Sequence, residues 1–427
     1  MADRGFLSDI LARVSSQTLL GRGAKEPVQD SIEGLCVRLH HMKSEASVLI
    51  LARQLLDHYR GLSPEGKVDF FKFLDAGLEQ DTKALEAAIA DWQPGDVAAS
   101  RTVHFLAEPA SQGFIRKLNS VPGATAELVA MRADLLGHLR ENPGFAGLDA
   151  DFQHLFASWF NRGFLEIRRI EWSTPASILE KIIAYEAVHE ISDWDDLRRR
   201  VGDSDRRLFA FFHPAMPEEP LIFVEVALAE EVPSAIAPIL DADRKKIDPN
   251  RATTAVFYSI SNCQKGLRGI SFGNFLIKQV VAELQRDLPQ LKTFVTLSPV
   301  PKLRIWAGAV DKKELPDTPW RDQILSLKEG AVPSTDAARA VAAYYLTVAK
   351  RRNGAAYDPV AHFHLGNGAT LHRIHADGDT SDRGLSNSWG VMVNYLYDDK
   401  SIDRNHQLYV SENKIATSTD VRALTKS

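Results

Sequence analysis

The chain has 427 residues, too many for one ordinary hydrophobic core, so we expect two or three domains. Its 44% hydrophobic and 25% charged residues are typical of a soluble globular protein. A net charge of −5 argues against nucleic acid as a partner. We find no apolar run near the roughly 18 residues that cross a bilayer, so no membrane partner is expected.

The two cysteines, Cys36 and Cys263, lie far apart and belong to no CxxC pair. A structural zinc site is therefore not expected, and so few thiols suit a reducing compartment. The first 25 residues contain Asp3 and Asp9, which do not fit an acid-poor transit peptide. These features predict a cytoplasmic protein.

The N-terminal part, residues 1–162, reads as helices only. Apolar residues recur at helical spacings over 29–60, and Ser63-Pro64-Glu65 is a helix start, with a capping serine and a proline at the first helical position. Further helical patterns run near 80–91, 124–141 and 149–162, separated by Pro-Gly turns. We predict an antiparallel all-α bundle that serves as an assembly module.

Residues 163–427 alternate strands and helices and predict an α+β domain. The segments 207–214 and 221–229 form a hairpin-like pair. A strand at 253–262, a helix at 273–288 and a strand at 292–298 make a βαβ unit with parallel strands. Other elements are a strand at 164–172, helices at 175–188, 194–201 and 335–352, and two apolar stretches around 360–374 and 389–397 that finish the sheet.

The turn of the βαβ unit, Lys265 to Asn274, is rich in glycine and carries Lys265 and Arg268. Free N–H groups at a strand-to-helix turn, together with the helix dipole, can bind an anion. The sequence is neither a Walker A loop nor GxGxxG. It resembles the R/Q-x-x-G-x-G/A loop of N-acetyltransferases, which holds the pyrophosphate of coenzyme A. The alternative is a glycine-rich turn without a ligand.

Ser298 ends the second strand of the βαβ unit, and Pro299 and Pro301 stiffen the chain after it. Ligands of open α/β sheets bind at the carboxyl ends of such strands, so Ser298 is a candidate catalytic residue. The alternative is a serine in a strand-terminating turn.

His362 and His364 follow Asp358-Pro359, and we expect them to face the same way on a strand. A metal site would need a third ligand, such as His372, His375 or Asp377. A catalytic role needs only one histidine near Ser298, and a purely structural histidine is the third possibility.

Four segments together resemble the malonyl-CoA decarboxylase family. They are His213-Pro214 with Glu219-Pro220-Leu221 and VEVAL, FYSISNCQKGLRG running into GNFLIKQVVAELQRDLP, TLSPVP, and DPVAHFHLGNGA with the later GVMVNYLY. The resemblance covers most of the chain from about residue 160. Matches in this order and at these spacings are highly specific.

The resemblance implies that residues 1–162 join subunits into a tetramer. Residues 163–427 would form an acetyltransferase-like (GNAT-type) catalytic domain for malonyl-CoA, with Ser298 and His364 as the catalytic pair and no cofactor. The implied substrate-binding residues are Arg268, Gly269, Ile270, Ser271, Phe272, Gly273, Asn274 and Tyr397. Ser271 departs from the acid that relatives often carry there, which puts the role of that acid in doubt.

The chemistry expected of the pair follows from residue type. His364, with an ordinary pKa near neutrality, suits the proton donor to C2, and Ser298 suits a partner of the malonyl carboxylate or of His364. One alternative is an acyl-CoA-dependent N-acyltransferase. The transferase fold does not require a histidine at the position of His364. The other is a non-catalytic coenzyme A-binding scaffold, which would not need Ser298 and His364 together.

Overall fold

The computed structural model describes residues 31–270, 272, 275–311, 315, 317–326 and 331–425. The N-terminal segment assessed for targeting, and Ser271, Gly273 and Asn274 of the loop, lie outside these ranges. The chain divides into two compact units. The first comprises Met1–Phe164, Pro214–Pro217 and Gln264–Ser271, and the second Leu165–His213, Glu218–Cys263 and Phe272–Ser427.

Between residues 31 and 164 the structure contains helices and no strand, as the sequence predicted. Its α-helices are α1 Ile32–His41, α2 Glu45–Arg60, α3 Pro64–Ala76, α4 Thr82–Asp91, α5 Val97–Leu106, α6 Ala110–Asn119, α7 Ala124–His138 and α8 Ala146–Trp159. The predicted start of α3 is confirmed, because the Gly66 N–H donates to Ser63 Oγ at 3.1 Å. Helices α5 and α6 were not predicted. Fully buried aromatic rings fill the core: Phe70, Phe71, Phe114, Phe152 and Phe156.

The second unit is built on an eight-stranded mixed sheet. Its strands are β1 Glu166–Ile170, β2 Arg206–Phe212, β3 Ile222–Ala229, β4 Thr254–Asn262, β5 Thr293–Thr296, β6 Ser298–Pro299, β7 Thr370–His375 and β8 Met392–Tyr397. The predicted hairpin is the antiparallel pair β2–β3, and the predicted parallel pair is β4–β5. The α+β class and the βαβ unit at the centre of the sheet are therefore confirmed.

Helices cover this sheet and connect its strands. In chain order they are α9 Ala176–Tyr185, α10 Trp194–Gly202, α11 Ala237–Leu240, α12 Phe275–Asp287, α13 Leu303–Ala309, α14 Pro319–Ser326, α15 Thr335–Thr347, α16 Pro359–Gly366, α17 Asp382–Ser388, α18 Ile402–Glu412 and α19 Thr419–Leu424. Helix α12 is the crossover between β4 and β5, as predicted. Within the described ranges, no helix has the length and apolar character needed to span a membrane.

Strand β8 brings distant parts of the chain to one place. It pairs antiparallel with β5, with Phe294 opposite Tyr397, and with β6, with Ser298 opposite Val393. These pairs share one register, so β5 and β6 are two halves of one strand that is interrupted at Leu297. The Leu297 N–H instead donates to the Phe257 carbonyl of β4 at 3.0 Å. Strand β7 also pairs with β8.

Candidate active site

The structure brings the two candidate catalytic residues together. Ser298 Oγ lies 3.1 Å from His364 Nε2, although 66 positions separate the residues. Both side chains are buried, with 6% of Ser298 and 3% of His364 exposed. Ser298 follows the break at Leu297, where the β5–β6 strand leaves β4. A serine and a histidine in hydrogen-bond contact can exchange or share a proton.

His364 lies on helix α16, so the expectation that it sits on a strand was wrong. Asp358 caps the helix by accepting from the backbone N–H groups of Val360 and Ala361, and Pro359 occupies the first turn. Residues two apart on a helix point in different directions. His362 accordingly contacts Tyr409 through Nδ1 at 2.8 Å, while His364 contacts Ser298.

The metal alternative requires a cluster of at least three ligands. Among the described residues, no group of three or more His, Cys, Asp or Glu side chains could hold a metal ion. His375, one of the possible third ligands, instead contacts Asn394 Oδ1 through Nε2 at 2.6 Å. His372 and Asp377, the other two, belong to no such group either.

Tyr397 orients the imidazole from the side opposite Ser298. Its hydroxyl lies 2.7 Å from His364 Nδ1, and burial raises the pKa of Tyr397 well above its ordinary value. Because Ser298 Oγ donates its one proton to Thr296 Oγ1, it accepts from Nε2–H, and the unprotonated Nδ1 accepts from the Tyr397 hydroxyl. Nε2–H is thereby directed at Ser298 Oγ. The Tyr395 ring stacks on the imidazole with centroids 4.6 Å apart, which fixes the plane of the ring.

Burial changes the charge expected for His364. Desolvation lowers the pKa of His364 to about 3, so the imidazole is neutral at pH 7 in the substrate-free protein. The near-neutral pKa assumed from residue type does not apply at this position. A negative charge arriving beside the ring would raise the pKa again, because it stabilises the imidazolium.

Thr296 is a member of the site that the sequence argument missed. Its Oγ1 accepts from Ser298 Oγ at 2.9 Å and from the Tyr395 N–H at 3.1 Å, and the side chain is fully buried. Thr296 therefore fixes the serine rotamer from the same strand. The sequence contained one indication of this role. Thr296 and Ser298 are two residues apart, and such residues lie on the same face of an extended chain.

The structure describes part of the predicted coenzyme A loop. Lys265–Leu267 forms a short 3₁₀ turn, and Gly269 has a left-handed φ of 84°, which favours glycine. The sequence predicted free backbone N–H groups in this loop, but two of them form hydrogen bonds within it. The Arg268 N–H donates to the Lys265 carbonyl, and the Ile270 N–H donates to the Leu267 carbonyl. Arg268 and Gly269 are exposed, and Phe272 is half-buried.

Two family models match the chain. The model described as "Malonyl-CoA decarboxylase C-terminal domain" matches residues 163–427, and the one described as "Malonyl-CoA decarboxylase N-terminal domain" matches residues 78–160. The chain belongs to the malonyl-CoA decarboxylase family. The two matches together cover part of the helical region and all of the sheet.

Named members of the malonyl-CoA decarboxylase family support the assignment. The chain is 35% identical over 379 residues to the mitochondrial malonyl-CoA decarboxylase of Anser anser anser, covering 80% of this chain and 75% of that protein. Among crystal structures of malonyl-CoA decarboxylases, that from Rhodopseudomonas palustris is 45% identical, with a TM-score of 0.85, covering 92% of this chain and 98% of that one. The one from Agrobacterium vitis is 46% identical, with a TM-score of 0.86, covering 92% and 99%.

Proposed function

We propose that this protein converts malonyl-CoA to acetyl-CoA and carbon dioxide without an added cofactor, with Ser298 and His364 as its catalytic pair. The main support for the roles of the two residues is the 3.1 Å contact between Ser298 Oγ and His364 Nε2. Family membership supports the reaction and the substrate. A non-catalytic coenzyme A scaffold would not require these two buried residues to meet.

The reaction needs an electron sink and a proton. The bond between C2 and the malonyl carboxyl carbon breaks, carbon dioxide leaves, and the electron pair enters the thioester carbonyl to form an enolate. The thioester itself accepts these electrons, so the chemistry does not call for a metal or an organic cofactor. The site must stabilise the enolate oxygen and hold the carboxylate out of the carbonyl plane.

His364 supplies the proton in this proposal. The malonyl carboxylate brings a negative charge beside the neutral imidazole, which raises the pKa of His364. The ring takes one proton from solvent on Nδ1, and the Tyr397 hydroxyl then accepts from Nδ1–H instead of donating to it. On binding, the Ser298 hydroxyl turns its one proton from Thr296 Oγ1 to the carboxylate and holds the carboxylate near Nε2. When carbon dioxide leaves, the imidazolium gives its Nε2 proton to C2, and both the ring and the acetyl thioester end uncharged.

The activity test uses purified protein, malonyl-CoA and a chelator, with no added cofactor. We expect acetyl-CoA and carbon dioxide in equal amounts, with no need for an amine. Transfer of an acyl group to an added amine, with no carbon dioxide released, would point instead to an N-acyltransferase. Binding of malonyl-CoA without turnover would point to a scaffold protein.

The loop from Arg268 to Asn274, together with Tyr397, forms the substrate-binding part of the proposal. Arg268 and Gly269 are exposed, and the loop precedes the first turn of α12, where the positive end of the helix dipole favours an anion. The pyrophosphate of coenzyme A is the group that this position suits. Tyr397 acts through His364, whose Nδ1 it contacts.

Arg268→Glu and Gly269→Val are expected to weaken coenzyme A binding about tenfold or more, which corresponds to about 1.4 kcal/mol or more. The first inverts a charge beside the pyrophosphate, and the second forces a branched side chain into a left-handed backbone conformation. Calorimetric titration with coenzyme A measures the effect. Lys245→Glu, an equal charge change at an exposed lysine outside the loop, is the control. Unchanged affinity in both loop variants would remove the phosphate-site assignment.

We also propose that the helical domain, residues 1–162, joins subunits into a tetramer, and that residues 163–427 form the catalytic domain. Helices α4 and α5 and the turn between them expose large apolar side chains: Ile89 at 55%, Trp92 at 42%, Val97 at 63% and Phe105 at 78%. The two helices pack against each other, and large apolar side chains exposed on neighbouring elements are typical of an interaction surface.

Val97→Asp combined with Phe105→Asp is expected to reduce the assembly to smaller species, because each new carboxylate would be buried without a partner at the contact. Size-exclusion chromatography with light scattering measures the mass. Ile305→Asp, at a 71% exposed residue of α13, is the matched control. A doubly substituted protein that keeps the full mass would show that α4 and α5 do not join subunits.

A cytoplasmic location remains part of the proposal. Both cysteines, Cys36 and Cys263, are free and buried, as in proteins of reducing compartments. Fractionation of cells that express the full chain would test the location, since recovery with organelles would contradict it.

A further inference from the structure

The first part of the coenzyme A loop is packed against helix α7. Lys265–Leu267 belongs to the same compact unit as the helices, and Gly266 and Leu267 are buried there. A Cβ placed on Gly266 would lie 1.8 Å from the carbonyl oxygen of Val129 in α7, so only glycine fits. The loop backbone thus lies directly on the helix backbone.

A buried arginine holds the loop at this point. Arg132 of α7, 1% exposed, donates from Nη1 to the Gly266 carbonyl at 2.6 Å. Its Nε donates to Asp149 Oδ1 of α8 at 2.8 Å, so the guanidinium is oriented by a buried ion pair. A planar guanidinium bound on two sides has little freedom to rotate, and the Gly266 carbonyl is fixed with it.

The same network reaches the other glycine of the loop. Asp149 Oδ2 accepts from Gln153 Nε2 at 2.6 Å. Gln153 Oε1 would lie 3.8 Å from a Cβ placed on Gly269, the residue with the left-handed backbone. The three side chains therefore line the loop from Gly266 to Gly269, next to Arg268.

We infer that Arg132 is a positioning residue for coenzyme A binding: through the Gly266 carbonyl it sets the conformation in which the loop meets the pyrophosphate. This inference rests on the proposed function of the loop. It gives the helical region a part in substrate binding besides assembly. Arg132 is 1% exposed, so its effect passes through the loop backbone rather than through contact with the substrate.

The test compares two substrates in the full-length protein. Arg132→Ala is expected to raise the KM for malonyl-CoA about 10- to 100-fold, because a loop displaced by about an ångström no longer fits the pyrophosphate. Malonyl-pantetheine carries the same thioester but no pyrophosphate, so its kcat/KM should stay at the wild-type value. Arg132→Lys, which retains the charge and one donor to Gly266, should restore part of the affinity for malonyl-CoA.

Two further variants make the result decisive. Asp149→Asn keeps the side-chain volume but removes the charge that orients Arg132. It should show the same selective rise in the KM for malonyl-CoA. This variant tests the inference if Arg132→Ala does not fold. Arg53→Ala removes the ion pair with Glu127, also on α7, and serves as the control for general damage to the helices. Arg53→Ala should have wild-type kcat/KM values for both malonyl-CoA and malonyl-pantetheine.

An equal loss for both substrates in the folded Arg132 and Asp149 variants, or no loss for either, would overturn the inference. Calorimetry with coenzyme A and with pantetheine separates this outcome from a failure of the proposed reaction. Suppose that the wild type does not decarboxylate malonyl-CoA, but Arg132→Ala weakens the binding of coenzyme A and not that of pantetheine. The proposed reaction is then wrong, whereas the positioning role of Arg132 is supported.

Discussion

Replacing His364 by asparagine is expected to lower the single-turnover rate of malonyl-CoA decarboxylation by about 10²–10⁴-fold, the usual cost of losing a general acid. Asparagine keeps a polar group of similar reach but cannot deliver a proton to C2. Binding of malonyl-CoA should persist, because the loop from Arg268 is untouched. Rapid quench at saturating malonyl-CoA measures the chemical step without product release.

Companion variants make this result specific. Ser298→Ala should also slow the reaction, and the double variant should be little slower than the worse single one, since the two residues act as a unit. His362→Asn is the matched control, because His362 contacts Tyr409 rather than Ser298. A near wild-type rate in His364→Asn would remove His364 as the proton donor, and a slow His362→Asn would make His362 the next candidate.

At pH 9, Arg200→Met should destabilise the protein by about 3–5 kcal/mol, the usual consequence of leaving a buried charge without its partner. Arg200 is 6% exposed and Glu225 is 1% exposed, and Nη1 lies 3.3 Å from both carboxylate oxygens. Arg200 also donates to the backbone carbonyls of His189 and Glu190, each at 2.8 Å. The substitution would remove all of these hydrogen bonds.

The loss should depend on pH in a defined direction. Burial raises the pKa of Glu225 to about 8 even with Arg200 present, and removing the arginine raises it further. A carboxyl whose pKa is higher folded than unfolded stabilises the fold at low pH, and that contribution is lost as the pH rises. Arg200→Met should therefore be more damaging at pH 9, above the pKa of Glu225 in the wild type, than at pH 6.

Urea unfolding at both pH values measures the free energy of unfolding. Arg199→Met, at a neighbouring residue that is 39% exposed and pairs with Asp196, provides the control. If Arg200→Met and Arg199→Met cost the same, the buried ion pair contributes no more than a surface one.

Local patterns in the sequence identified much of the fold. Two neighbouring apolar runs predicted the β2–β3 pair. The strand–helix–strand order predicted the parallel pair β4–β5, with Ser298 at its end. The segment around His364 was misassigned because a short apolar run was given more weight than Asp358-Pro359, which is a helix start as clear as the one at Ser63.

Other features depend on contacts that no local pattern contains. Tyr395 reaches Thr296 across 99 positions, and Arg132 reaches Gly266 across 134. The position of Arg132 on α7 is predictable from helical spacing, but its partner is set by how the loop folds back onto the helix. The low pKa of His364 likewise follows from the burial of the ring, which residue type alone does not indicate.

The late position of β8 in the chain has a consequence for folding. The parallel pair β4–β5 and helix α12 come from one continuous stretch, but the strand that completes the site arrives 99 positions after Thr296. Closing so long a loop is entropically costly, and such pairings form slowly. During synthesis, Ser298 emerges well before Tyr395 and Tyr397, so a nascent or prematurely terminated chain contains the serine without the residues that orient its histidine. Catalytic competence would thus be acquired among the last steps of folding.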